Sequence, residues 1–66
     1  MKISKNKFIV ASKESPMEFW VEDYGSDEDI MKAFLYDTEN EAENDIKESD
    51  DPNFWKVMPV EIIYRF

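Results

Sequence analysis

With 66 residues, no Cys and no His, the chain holds enough sequence for one domain, and neither disulfides nor the usual zinc ligands can staple it. Five Phe, three Tyr and two Trp supply buried area instead, and a hydrophobic fraction of 42% argues against disorder in spite of a net charge of -8. No apolar run reaches the roughly 18 residues of a membrane helix, the basic stretch 1–7 is not followed by a leader-like apolar segment, and the absence of Cys fits the cytoplasm.

Residues 5–12 read as a strand through Phe8, Ile9 and Val10. Residues 13–16 read as a turn, because Pro16 fixes its own φ and biases Ser15 to extended geometry. Residues 17–23 alternate, with Met17, Phe19 and Val21 on one face and Glu18, Trp20 and Glu22 on the other. That is a half-buried strand closing a hairpin with the first. Residues 25–29 break the alternation as a loop. Residues 30–36 fit a short third strand or a helical turn begun by Ser26; the strand is preferred, because a fresh helix start follows.

That start is Thr38-Glu39-Asn40-Glu41, the spacing of a capping box with Thr38 as N-cap. The helix is expected over residues 39–49, with Ala42 and Ile46 marking its buried side. So narrow an apolar stripe needs a sheet to lie on. Residues 50–53 stop the helix, and residues 54–65 carry the longest strand signal. There Met58, Val60, Ile62, Tyr64 and Phe66 share one phase, while Trp55, Val57, Glu61, Ile63 and Arg65 share the other. Pro59 donates no ladder hydrogen bond, so it requires an edge or a bulge. The expected fold is α+β: a single domain, residues 1–66, with one small sheet of three to four mainly antiparallel strands, one helix packed on one face, and the order β-β-(β)-α-β.

The residue inventory points away from catalysis. There is no His for general-base work near neutral pH, no Cys nucleophile, and one glycine, Gly25, where a phosphate loop needs several. Asp27, Glu28 and Asp29 beside Gly25, and Asp50 and Asp51 before Pro52, are oxygen-rich turns without the ligand order of a calcium loop. They are read as solvated acids, and no metal or cofactor is expected. Charge is unevenly spread. Residues 1–13 hold four Lys and no acid, whereas residues 22–51 hold thirteen acids against Lys32 and Lys47, a net of -11. Such a field repels nucleic acids and anionic membranes and favours a basic protein partner.

Trp20 lies between Glu18 and Glu22 on its strand, and Trp55 is out of phase with the main apolar row of the last strand. With the helix over the Met17/Phe19/Val21 face, both indoles would stand on the open face of the sheet, where an exposed Trp ringed by acids suits a binding hot spot. The competing expectation is that a bulge near Pro59 turns Trp55 inward and Trp20 only covers the sheet. The candidate binding surface is Trp20, Glu22, Asp23, Asp27, Glu28, Asp29, Glu39, Glu43, Asp45, Asp50 and Asp51.

The segments Phe8-Ile9-Val10, Phe19-Trp20-Val21-Glu22, residues 33–42 and residues 59–64 give the chain a pattern that resembles the short, acidic, Lys/Asn/Glu-rich accessory and inhibitor proteins of tailed bacteriophages and mobile elements. The resemblance implies a protein that binds host nucleic-acid machinery in the bacterial cytoplasm, such as RNA polymerase, nucleases or CRISPR effectors, with carboxylates standing in for phosphates. It assigns no role to any single residue. The alternative expectation is an assembly module that forms a homodimer through its C-terminal strand, with acidity serving solubility alone.

Overall fold

Phe8-Ile9-Val10-Ala11 is apolar at every position, and its strand is central and covered on both faces. The computed structural model describes residues 1–22 and 25–66. In chain order it contains β1 (Lys2–Ser12), β2 (Phe19–Trp20), β3 (Ser26–Asp27), a 3-10 turn (Ile30–Lys32), α1 (Glu39–Lys47) and β4 (Trp55–Arg65). The strands form one antiparallel sheet in the order β3-β2-β1-β4, with α1 packed against it. This is the expected α+β architecture.

Alternation along β1 sends its side chains to two clusters. Val10 meets Tyr36, Ala42 and Ile46 under the helix, with Phe8, Trp20, Trp55 and Val57 packed around them. Ile9 and Ala11 meet Phe19 on the opposite face, with Ala33, Met58 and Val60 against them. Ser12 is fully buried but satisfied: its hydroxyl donates to the Glu14 carbonyl at 3.0 Å and accepts from the Glu18 N–H at 2.9 Å.

β4 pairs with β1 without interruption from Lys2↔Arg65 to Ser12↔Trp55. No bulge occurs at Pro59, and backbone geometry explains why none is needed. The Phe8 N–H and C=O both bond to Tyr36, on the side of β1 away from β4. Pro59, opposite Phe8, is therefore in a non-hydrogen-bonded pair, and its missing donor faces the open edge. Beyond Phe8 the sheet narrows to β1 and β4 alone, a ribbon whose residues Lys2 to Asn6 are all exposed. This extension contributes to the elongated outline of 42 × 24 × 20 Å.

Several expectations need correction. β1 begins at Lys2 rather than residue 5, because the long β4 supplies a partner that far out. The strand expected over 17–23 is only Phe19–Trp20, with Phe19 buried and Met17 exposed. A two-residue strand, β3, lies inside the expected loop and pairs with β2. Residues 30–36 are not a strand. Asp29, rather than Ser26, caps a 3-10 turn by accepting from the Met31 N–H at 2.9 Å, and only Tyr36 bridges to β1.

The helix start stands where the capping box put it. Thr38 is extended, and its hydroxyl accepts from the Glu41 N–H at 3.2 Å. The first turn carries Glu39 and Glu41, as the helix dipole favours, and Ala42 and Ile46 are buried. Thr38→Ala is expected to lower stability by about 1 kcal/mol, the usual cost of a lost N-cap. An unchanged urea midpoint would show that the cap contributes nothing.

Candidate functional site

α1 covers the Val10/Val57 face of the sheet rather than the face of Phe19, and that placement builds the site. Trp20 and Phe19 are neighbours on β2 and point to opposite faces. Phe19 packs with Ile9 and Ala11, so Trp20 stands on the helix side with Trp55. The two indoles meet at 5.4 Å between ring centroids and 58° between planes. Trp55 also takes the edge of Phe54 at 5.0 Å. Both indoles are half-buried beside the helix rather than displayed on an open face.

Next to them lies an open cleft of about 780 Å³, flanked by the C-terminal half of α1 and the turn after it. Its aromatic part is Trp20, Phe34, Tyr36 and Trp55. The Phe34 N–H donates to the Trp20 carbonyl at 2.8 Å, which ties the 30–36 segment to β2. Phe34 and Tyr36 meet edge to face at 4.8 Å. Its acidic part is Glu22, Asp45, Glu48, Asp50 and Asp51. Asp45 on α1 and Glu48 at its C-cap are three apart and share a flank. Asp50 and Asp51 follow in the turn, held by the Ser49 N–H to the Ile46 carbonyl at 3.0 Å and the Phe54 N–H to the Asp51 carbonyl at 3.1 Å. The C-terminal pole of α1 lies on the same side and adds its own partial negative charge.

One hydrogen bond joins the two parts. The buried Tyr36 donates its phenol proton to Asp45 Oδ2 at 2.8 Å. Burial pushes the Tyr36 phenol well above its usual range, and the bond to Asp45 and that residue's negative charge push it further. The folded state thus holds the phenol proton more tightly than the unfolded chain, which releases it near pH 10. Stability is expected to fall as pH rises beyond about 10, where only the unfolded chain gains by ionising. Tyr36→Phe should flatten that slope; an alkaline unfolding profile identical in the variant would contradict the assignment.

Ion pairing is sparse. Among the described residues, Lys7 pairs with Asp37 and Lys32 pairs with Asp27 at 3.6 Å. Lys7, by hydrogen bond and charge, holds the Asp37 carboxyl below the usual carboxylate range. None of the cleft acids has a cation within ion-pairing distance among the described residues.

The structure divides the candidate surface. Trp20, Glu22, Asp45, Asp50 and Asp51 come together at the cleft. Glu39 and Glu43, four apart, line the other flank of α1. Asp27 and Asp29 serve local structure: Asp27 Oδ1 accepts from the Asp29 N–H at 2.8 Å, and Asp29 caps the 3-10 turn. Glu28 is exposed beside them, and Asp23 lies outside the described residues. Trp55, Phe34, Tyr36 and Glu48 were not in the candidate set. Glu48 had a visible signal, an acid placed against the helix dipole. Trp55 was marked by its phase on the last strand, whereas Phe34 and Tyr36 had no signal, because their convergence with it depends on which face the helix covers.

Among the described residues no three acidic side chains converge as a metal site, and no helix is long and apolar enough to cross a membrane. No protein-family model, curated protein or solved structure matches the chain.

Proposed function

We propose that the chain is a non-enzymatic binding protein that presents an acidic surface to a basic protein partner, with the cleft beside α1 at the centre of that surface. The observation that carries this reading is the gathering of five carboxylates around four aromatic rings, with no cation paired to those acids among the described residues. Carboxylates left unpaired attract a cationic surface over several ångströms and speed its approach. The rings then offer apolar area to a desolvated contact, the usual source of slow dissociation. A partner whose basic groove ordinarily holds a polyanion fits this chemistry, which is how an inhibitor of nucleic-acid machinery would act.

A lysine nonamer titrated at low salt is a direct probe. Perturbed backbone amides and both indole N–H resonances should cluster at residues 45–51, Trp20 and Trp55. Shifts spread evenly over all acidic residues, or confined to the ribbon, would remove the cleft from its central place.

A second reading has its own support. β4 is an edge strand of eleven residues, and the ribbon exposes Ile3, Ile63, Tyr64 and Phe66. Strand addition there would give a homodimer. Lys56, Pro59 and Glu61 interrupt that edge in the manner that discourages such pairing. Sedimentation at micromolar concentration separates the two, with a monomer expected from the first reading.

A further inference from the structure

Resting on that reading, we infer that the cleft is an arginine site: it takes the guanidinium of a partner's arginine in preference to the ammonium of a lysine. Charge alone does not make this distinction, since both cations carry one positive charge. The aromatic part does. Trp20 and Trp55 line the cleft half-buried, so each leaves part of its ring to an entering group. Their planes stand 58° apart and form a corner rather than a flat stack. Phe34 supplies a further ring and is itself 38% exposed.

A guanidinium is planar and weakly hydrated, so it sheds water readily to lie on an indole face. An ammonium is compact and strongly hydrated and loses more on leaving water. The guanidinium also has five donors in a fixed fork, which match a carboxylate in paired bonds. Here carboxylates and rings line the same cleft. Asp45 already accepts one bond, from the Tyr36 hydroxyl, and a carboxylate retains further lone pairs. Glu48, Asp50 and Asp51 are exposed and none is ion-paired among the described residues. The volume of about 780 Å³ falls in the range of ligand clefts and has room for a side chain with some of its backbone.

The chain carries its own reporter: it has two tryptophans, and both line the cleft, so a cation entering there changes the surroundings of every indole in the protein. Arginine and lysine nonamers of equal charge should be titrated against the protein at low and at physiological salt, following emission and, independently, heat of binding. The expected result is a change in emission with both peptides, with the arginine peptide binding about tenfold or more tightly, a margin that persists in salt because a desolvated contact with the rings is screened much less than exposed charges. Trp20→Phe should keep most of the margin and Trp20→Leu should abolish it. If Trp20→Leu fails to fold, Glu48→Gln with Asp51→Asn, both at exposed positions, should weaken both peptides and reduce the arginine margin without erasing it, because the rings remain. Equal affinity for the two peptides, with emission still changing, would overturn arginine preference and leave the acidic-surface reading standing. Heat of binding without a change in emission would place the contact away from the cleft and overturn the inference. No binding of either peptide at low salt would overturn both.

Discussion

Ile46→Ala is expected to cost about 2–5 kcal/mol, the range for truncating a large buried aliphatic residue. A domain of this size carries a total of only about 3–10 kcal/mol at the usual stability per residue. A large share of the molecules should therefore unfold at moderate temperature. The reason is specific to this helix. Its apolar stripe consists of Ala42 and Ile46, and Ile46 alone brings a large side chain to the cluster of Val10, Tyr36, Trp20, Trp55 and Val57. Without it the nine-residue helix is too short to persist unaided. Ile63→Ala is the control. Ile63 is the same residue type on the same sheet face as Val57, but it lies on the ribbon and is 41% exposed. It should change stability by less than about 0.5 kcal/mol. Equal losses at the two positions would mean that α1 does not rest on the Val57 face.

That helix placement is also the line between what the sequence disclosed and what it did not. The N-cap at Thr38, the buried pair Ala42 and Ile46, and the two phases of β4 are local features. They depend on neighbours three or four residues away, or on alternation, and they hold in the fold. The face on which the helix lands is not local. Met17, Phe19 and Val21 formed the more regular apolar row, yet only Phe19 is buried. The deciding factor is the opposite row, where Val10, Val57 and two indoles offer a broader apolar bed. Residues 30–36 failed for a related reason. Asp29 supplies a cap for a 3-10 turn, and a single bridge at Tyr36 satisfies the β1 edge where a full strand was expected. The site reflects both: its acids and its two indoles were recognisable one by one, while their meeting with Phe34 and Tyr36 emerged only from the packing.

The second large effect concerns association. Reversing Glu48, Asp50 and Asp51 to Lys should slow capture of a lysine nonamer by about tenfold or more at low salt, because these charges flank the cleft where approach is focused. Reversing Glu14, Glu28 and Glu61 instead changes the net charge equally, and all three are exposed and lie outside the cleft. That variant should lose only the smaller, general part of the attraction. All six positions are exposed, so both proteins should keep their fold, which far-ultraviolet circular dichroism would verify. Equal slowing by the two triples would show that net charge, not its placement, governs encounter.

The most direct measurement is a titration with the arginine nonamer in which binding heat and indole emission are recorded on the same samples, since Trp20 and Trp55 both line the cleft. The two signals should saturate together, with one midpoint, and the Glu48, Asp50, Asp51 triple reversal should weaken both in step. Saturating heat with indole emission unchanged would mean that the cation binds elsewhere and that the cleft beside α1 is not the functional site.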